Sequence, residues 1–256
     1  MAITPVDLQV TNITATSARL RWVNALQALQ ALISSLFGAG DQGAFYIPKP
    51  IVNGAQSLFQ DAAGTVPVTA DGDPVGRMLD QSGNGYHAIQ TVSGSRPVYR
   101  TDGTLHWFEG DGLDDFIDTG LSHQAIWAGY VAVRDIAGRS IFGGRKNLDK
   151  RFYLFRDGLG IAAETVQNVT FGDGVLSLSI RSGSAYEAKE NSTVISSGIY
   201  GGTTQPGASS YLFAFNDAGS AELNASGKFY GGYFGLPVDE DQDLIKYLSD
   251  LAGLTL

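Results

Sequence analysis

The sequence predicts an all-β domain of the sandwich or jelly-roll type. Glycine is abundant, with 33 residues, and aromatic residues make up 11% of the chain. Glycine supplies the positive φ that tight turns require, and aromatic side chains suit a pleated, half-buried surface. Hydrophobic residues amount to 43% of the 256 residues, which is enough for a sizeable core. We therefore expect many short strands joined by tight turns.

Residues 6–22 predict two short strands with a turn between them. Apolar and polar residues alternate in two runs on either side of Asn12. The apolar positions are Val6, Leu8, Val10, Ala18, Leu20 and Trp22. These strands lack partners in a closed sandwich, so we expect them to pack against the main domain, another subunit or a neighbouring protein.

Residues 24–37 predict a helix, with Asn24 as its N-cap and Gly38 just past its end. An apolar stripe follows spacings of 4, 3, 4 and 3 residues, as in the seam of a coiled coil. Its members are Trp22, Leu26, Leu29, Ile33 and Leu36. Two interpretations follow: an amphipathic helix that packs on its own domain, or an assembly interface between subunits. We accordingly divide the chain into a docking segment, residues 1–44, and a sandwich, residues 45–256.

From Phe45 onward, short apolar or alternating runs recur between Gly, Asp and Asn residues, with no helical pattern among them. This rhythm favours a sandwich or jelly roll over βαβ units. The runs are HAIQTV, LHWFEG, DFIDTG, IWAGYVAV, SIFGG, RFYLFR, VLSLSI, YLFAF and KFYGGYFG.

A second helix is expected at the end of this chain, over residues 239–251. Leu244, Leu248 and Leu251 form its apolar stripe. Asp239 and Gln242 have the spacing of a capping box, and Gly253 suits the C-terminal stop.

Two polar stretches read first as turns. In residues 79–85, the side chains of Asp80, Ser82 and Asn84 can bond nearby backbone N–H groups. In residues 108–117, aromatic residues flank the polar sequence EGDGLDD, as in a β-hairpin.

Charge and composition exclude several classes of function. The net charge is −9 and the longest basic run is Arg145-Lys146, so a nucleic-acid partner is not expected. The chain has no cysteine, hence no disulfide framework and no thiolate metal site. No apolar run is long enough for a membrane span. The opening MAITPVDLQV lacks the regions of a secretory signal, so we expect no cleaved leader.

Several strings resemble those of a group of phage and prophage virion proteins that carry a laminin-G/concanavalin A-like lectin domain. They are LFGAGDQGAFYIP, SLFQDAAGTVPVTADGDPVGRMLDQSGNGYHAIQ, RPVYRTDG, WFEGDGLDDFIDTG and the closing KYLSDLAGLTL. The resemblance implies a concanavalin A-like jelly roll at the particle surface, made in the host cytoplasm. It also implies virion proteins, copies of the chain itself and a host-surface glycan as partners.

No catalytic set is nominated by the sequence. Hydrolases of similar fold place their acids at i and i+4 on one strand, and no Glu-x-Asp-x-x-Glu pattern occurs here. The densest acidic run, residues 239–243, opens a predicted helix, where negative charge favours the helix dipole. His87, His106 and His123 share no short motif.

Calcium is the candidate metal, because it prefers carboxylate and carbonyl oxygens in loops. The residues that offer this chemistry are Asp71, Asp73, Asp111, Asp114 and Asp115, with solvated turn acids as the alternative interpretation. No other cofactor is indicated.

Glycan recognition requires exposed aromatic rings. Tyr186 and Tyr200 lie in polar, Gly/Ser-rich surroundings and are the candidate carbohydrate-binding residues. We therefore expect a non-enzymatic virion protein, tail- or fibre-associated, that assembles and contacts glycans. The alternatives are a capsid decoration protein and a glycan-cleaving depolymerase on the same fold.

Overall fold

The computed structural model describes residues 27–38, 40–122, 124, 127–145, 151–161, 164–167, 170–182, 185–200, 209–239 and 241–255. The predicted strands of residues 6–22 lie outside these ranges. Helix α1 covers residues 27–37 and helix α2 covers Gln242–Leu251. No helix in the described ranges is long and apolar enough to span a membrane.

The described chain is dominated by strands, which we number in chain order. They are β1 (Ala44–Tyr46), β2 (Ile51–Val52), β3 (Ala55–Gln56), β4 (Leu58–Phe59), β5 (Arg77–Met78), β6 (Ala88–Ile89), β7 (Val98–Thr101), β8 (His106–Asp111), β9 (Ile117–Ser122), β10 (Trp127–Gly138), β11 (Ser140–Arg145), β12 (Arg151–Phe155), β13 (Gly158–Ile161), β14 (Glu164–Gln167), β15 (Gly174–Ile180), β16 (Ala185–Glu190), β17 (Thr193–Ile199), β18 (Ser209–Leu212), β19 (Phe215–Asp217), β20 (Ser220–Glu222) and β21 (Ala225–Gly235).

The strands form two large sheets and one short hairpin, β2–β3. The eight-stranded sheet has the order β17-β16-β15-β10-β21-β8-β7, with β1 also paired to β21. The eleven-stranded sheet has the order β14-β13-β12-β11-β18-β9-β6-β5-β4, and β19 and β20 extend it beside β11. Each of the nine apolar runs singled out in the sequence contributes to a strand.

The main core lies between the two sheets. Trp127, Val131 and Val133 of β10 face it, and Phe229 and Phe234 of β21 lie in the same cluster. The two sheets approach each other closely at Gly129, where a Cβ atom would come within 2.9 Å of the Phe142 ring of the other sheet. Any larger side chain at that position would push the sheets apart, because interiors are close-packed.

A second core covers the outer face of the eight-stranded sheet. Ala128, Tyr130 and Ala132 alternate with the inward residues of β10 and pack beneath α1 and α2. The described chain therefore forms three layers: the pair of helices, the eight-stranded sheet and the eleven-stranded sheet. The sequence predicted a two-layer sandwich with appended helices.

Helix α1 uses its apolar stripe within its own domain. Leu29 and Leu36 are buried in the helix-covered core, and Ile33 packs against it. Their prediction as an assembly interface is wrong for this segment, because these side chains already cover the eight-stranded sheet. Trp22 and Leu26, the other members of the stripe, lie outside the described residues. The division of the chain at residue 44 stays a prediction.

Helix α2 begins differently from the prediction. Its N-cap is Asp241, and no side chain caps its first turn, so the capping box of Asp239 and Gln242 is wrong. The buried Asp241 carboxylate instead accepts hydrogen bonds from the Tyr130 hydroxyl, at 3.1 Å, and from Lys189 Nζ, at 2.9 Å. This contact fixes the helix to β10 and β16. The predicted stop at Gly253 is confirmed, with φ of 63° and a hydrogen bond to the Asp250 carbonyl.

Asp80 organises the loop after β5. Its carboxylate accepts hydrogen bonds from the backbone N–H groups of Phe45, Ser82, Gly85 and Tyr86 and from the Ser82 hydroxyl, at 2.6–3.2 Å. The Phe45 bond ties the loop to β1, which belongs to the other sheet. The predicted turn role of Asp80 is confirmed, and the structure adds a connection between the sheets.

The second polar stretch is a crossover. Strand β8 belongs to the eight-stranded sheet and β9 to the eleven-stranded sheet, so residues 111–116 carry the chain from one layer to the other. The predicted hairpin is wrong, because hydrophobic residues that flank a turn pack equally well into two facing sheets.

Removing the Asp80 carboxylate is expected to be costly. Asp80→Ala leaves buried backbone donors without an acceptor, and we expect a loss of about 3 kcal/mol in the free energy of unfolding, measured by urea denaturation. Asp102→Ala is the matched control, since Asp102 also accepts two backbone N–H bonds but is exposed. We expect a clearly smaller loss for the control, because its backbone donors can bond to water instead, and equal losses in the two variants would contradict the role of Asp80.

Candidate functional site

The five predicted metal ligands separate into two groups. Asp71 accepts a hydrogen bond from the Thr101 N–H and lies 3.4 Å from Arg100. Asp73 accepts the N–H groups of Thr69 and Ala70. The alternative interpretation therefore fits these two acids, because both act as turn residues and neither joins a group of three ligands in the described chain.

Asp111, Asp114 and Asp115 do come together, in the crossover between β8 and β9. Each offers a carboxylate oxygen, and these oxygens lie within 4.8 Å of one another. The loop shapes the cluster itself, since Asp111 accepts the N–H groups of Leu113 and Asp114. Asp115 accepts the N–H of Asp111 at 3.1 Å, and Asp114 accepts the Ser95 hydroxyl at 2.8 Å. We refer to these three residues as the acidic cluster.

The acidic cluster suits a hard cation. Each carboxylate uses one oxygen in these hydrogen bonds, which leaves the other oxygen as a ligand atom. Calcium takes six to eight oxygen ligands, and backbone carbonyls and water complete such shells in loops. Burial and the neighbouring charge of Asp111 raise the pKa of Asp115 to about 6. A bound cation would reverse this effect, because positive charge favours the ionised carboxylate.

The two tyrosines predicted to bind carbohydrate are not exposed platforms. Tyr200 is 4% exposed and lies in the core between the sheets, so its prediction as an exposed residue is wrong. Tyr186 is partly buried, packs against the same core and lies 3.3 Å from the Ser196 hydroxyl. Polar neighbours in the sequence did not indicate exposure, because successive residues of a strand point to opposite faces of the sheet whatever their neighbours are.

A different set of aromatic residues lies on the outer side of the eleven-stranded sheet, where Tyr153 and Tyr211 are 6% and 7% exposed. Strand register places one residue from each of eight strands in a continuous line, which we call the cross-sheet row. From β13 to β4 its members are Gly160, Tyr153, Gly143, Tyr211, Asp118, Ile89, Arg77 and Phe59. Their sequence neighbours Phe152, Leu212 and Ile117 belong to the core between the sheets, so the row faces away from it.

Tyr211 and Asp118 form the centre of the cross-sheet row. The Tyr211 ring stacks on Phe116 with a centroid distance of 4.6 Å and an interplanar angle of 21°. Burial, together with the Asp118 charge, raises the pKa of Tyr211, so its hydroxyl stays protonated at neutral pH. Asp118 is half-buried and accepts the Gly120 N–H at 2.9 Å. Carboxylate, phenol and ring face are thus adjacent on this surface.

Glycine makes room for the row's other tyrosine. A Cβ atom at Gly160 would lie 2.2 Å from the Tyr153 ring, which therefore lies flat on the β13 backbone. Tyr153 stacks on Phe155 at 4.2 Å and meets Phe215 edge-on at 5.1 Å. Gly143 separates Tyr153 from Tyr211 and leaves a position without a side chain between two aromatic residues.

An ion pair borders this aromatic group. Arg145 makes two hydrogen bonds to Asp217, at 2.9 and 2.7 Å, and its guanidinium lies 5.3 Å from the Phe215 ring centroid. The bidentate contact holds the guanidinium plane in place at the edge of the row. The groups at the surface of this region are therefore the Phe116 ring, the Asp118 carboxylate and the paired Arg145 guanidinium, which are kinds of group that contact sugars.

The acidic cluster adjoins the row. Asp118 follows Asp115 by three residues along the same extended chain, a span of about 10 Å. Tyr153 and Tyr211 were available to the sequence analysis only as two aromatic residues among several. The signal that could have singled them out is their alternation with the apolar residues that enter the core.

One comparison with a solved structure supports the fold, and a second is reported beside it. An arabinofuranosidase in complex with arabinofuranosyl-α-1,2-xylobiose matches 86% of this chain with 13% identity and a TM-score of 0.50. This match covers 64% of the enzyme, slightly less than two thirds of its length. Domain 4 of a GH43 extracellular arabinanase from Geobacillus stearothermophilus, in complex with arabinotriose, matches 65% of this chain and 91% of its own, with 15% identity and a TM-score of 0.49. The predicted all-β jelly-roll sandwich is confirmed.

No protein-family model and no curated protein matches this sequence. The similarity to known proteins is therefore one of structure, and at these sequence identities it concerns the fold alone.

We predict that the acidic cluster makes the free energy of unfolding depend on pH and on calcium. A raised pKa in an acid means that the folded state holds its proton more tightly, so the free energy of unfolding falls as pH rises from about 4 to about 6. Calcium should raise the unfolding temperature at pH 7, and less at pH 5, because protons compete for Asp115. Calorimetry with and without calcium measures both effects.

The matched variants are Asp115→Asn and Asp71→Asn. The first removes both the pH dependence and the calcium effect, whereas the second changes neither, because Asp71 lies apart from the cluster. A calcium response that survives in Asp115→Asn would place the metal elsewhere.

Proposed function

We propose that this protein is a non-catalytic, glycan-binding module of a bacteriophage particle. The cross-sheet row carries the glycan part of the proposal, because it places the half-buried Asp118 carboxylate beside the partly exposed Phe116 ring, which stacks on the buried Tyr211. Ring faces stack on the apolar faces of sugars, and carboxylates accept the hydroxyl hydrogen bonds that fix a sugar's orientation. The phage part rests on the sequence strings that resemble virion proteins, and a tail or fibre position is its finer form.

Two further observations support a glycan as the ligand. The net charge of −9 disfavours nucleic acid as a partner. The arabinofuranosidase whose fold is similar was solved in complex with arabinofuranosyl-α-1,2-xylobiose, and this likeness favours a saccharide as the ligand of the present chain.

The non-catalytic part of the proposal follows from where the carboxylates lie. The acidic cluster holds close carboxylates with a raised pKa at Asp115, a pattern that glycoside hydrolases also use. Asp111 and Asp114 are exposed in the crossover, and all three acids bond to their own loop or to Ser95. In this proposal the three acids stabilise their loop and bind a cation, and they do not act on a glycosidic bond.

Substitution in the row is expected to remove glycan binding. Tyr211→Ala and Asp118→Ala should each weaken binding to host-surface polysaccharide at least tenfold, about 1.4 kcal/mol, because the first removes the buried ring that supports Phe116 and the second removes a hydroxyl acceptor. Titration calorimetry or biolayer interferometry measures the affinity, and thermal unfolding confirms that the variants fold.

Tyr186→Ala is the matched control, since Tyr186 is a partly buried tyrosine of the other sheet. Unchanged binding in the Tyr211 and Asp118 variants would refute the site. Shortening of the polysaccharide by the wild-type protein would favour the depolymerase alternative, and retention without cleavage supports the module.

Particle attachment is expected to need the first 22 residues. We expect the two strands predicted for residues 6–22 to find their partners outside the sandwich, so a chain without residues 1–22 should fold and remain soluble yet fail to join the particle. Mass spectrometry of purified particles measures incorporation, with circular dichroism as the check on folding. Normal incorporation of the shortened chain would contradict this role.

A further inference from the structure

Strand β17 is an open edge of the eight-stranded sheet. It pairs with β16 on one side, and no strand of the described chain pairs with its other side. Five of its seven residues are exposed. An edge strand presents a row of N–H and C=O groups, which is a template for another strand.

Main chain covers two of the other sheet edges. At β7, residues 72–75 run alongside, with the Tyr99 N–H bonded to the Asp73 carbonyl at 2.8 Å and a bridge between Pro74 and Val98. At β4, residues 66–68 do the same, through the Val68 N–H to Leu58 carbonyl bond at 3.0 Å. Strands β1, β14 and β20 also pair with one described strand alone, and β17, with seven residues against three or four, is the longest strand of this kind.

The composition of β17 lacks the usual protection of an edge. Its sequence, TVISSGI, contains no charged residue and no proline. Val194 is 45% exposed and Ile199 is 78% exposed. Register places Val194 opposite Lys189 and Ile199 opposite Ala185. Lys189 reaches Asp241 at the start of α2, so Val194 lies on the helix-covered side of the sheet.

We propose that β17 pairs antiparallel with β17 of a second copy, joining the two eight-stranded sheets edge to edge. Antiparallel pairing brings the Val194 end of one strand to the Ile199 end of the other, so the two exposed apolar side chains meet. The chain carries a net charge of −9, and this uncharged edge lets two copies approach without like charges opposite each other. The contact is two-fold symmetric, so it closes as a dimer.

The size of the edge sets the strength of the dimer. Seven strand residues span about 23 Å, and so narrow a contact belongs to the reversible class of interfaces. We therefore expect a dimer whose fraction rises with protein concentration.

The geometry of the dimer bears on the proposed glycan site. The two-fold axis of an antiparallel strand pair is perpendicular to the sheet, so both outer faces of the eleven-stranded sheets point the same way. Resting on the proposed function, this orientation lets one dimer hold a glycan-coated surface at two points, which raises the apparent affinity without a new contact.

Sedimentation velocity over a range of concentrations tests the pairing. The wild-type protein should show a reversible monomer–dimer equilibrium. Val194→Lys combined with Ile199→Lys places lysine near lysine and should yield a monomer throughout. Val194→Lys combined with Ile199→Glu places opposite charges together and should restore the dimer.

Lysine substitutions at Ile51 and Val66 are the matched controls, since these residues are 44% and 46% exposed and lie away from β17. They should leave the equilibrium unchanged. A wild-type protein that stays monomeric, or a double-lysine variant that dimerises like wild type, would overturn the proposal.

The glycan consequence has a separate readout. The double-lysine variant should bind a soluble oligosaccharide as tightly as wild type but dissociate faster from a polysaccharide-coated surface. A dimer that binds no glycan would refute the proposed function and leave the pairing intact.

Discussion

Burial of the eight-stranded sheet on both faces is the constraint on which the rest of the structure depends. Strands β10 and β21 send one set of side chains into the core between the sheets and the other set beneath the helices. Each face would expose a large apolar surface without its cover. The second sheet and the two helices are therefore both required, and they decide which surfaces remain free.

The helix layer is fixed by polar contacts as well as by packing. Asp241 meets Tyr130 and Lys189 at the start of α2, where a carboxylate also favours the helix dipole. Burial and the Asp241 charge raise the pKa of Tyr130, which keeps its hydroxyl a donor. Helices α1 and α2 lie on the eight-stranded sheet, so among the described residues neither helix covers the outer face of the eleven-stranded sheet, and no strand pairs with the outer side of β17. The proposed glycan site and the proposed pairing use these two surfaces.

Local chemistry was readable in the sequence where a side chain acts within a few residues of its own position. Asp80 and Gly253 were predicted correctly, because a turn or a helix end depends on nearby backbone groups. Asp111, Asp114 and Asp115 lie together for the same reason, since one short loop holds all three. The apolar runs were recognised as strands because a strand's period is local too.

Partners distant in sequence were decided by the tertiary structure alone. Residues 108–117 fit a hairpin or a crossover equally well, and the choice followed from which sheet β9 joined. The stripe of Leu29 and Leu36 was compatible with an assembly interface in the sequence, but in the structure it packs on the outer face of the eight-stranded sheet. The cross-sheet row depends on the register of eight strands, which no short pattern encodes. The sequence by itself determined the strands, the Asp80 turn and the C-terminal end of α2, because these depend on neighbouring residues, whereas the free surfaces follow from packing between distant segments.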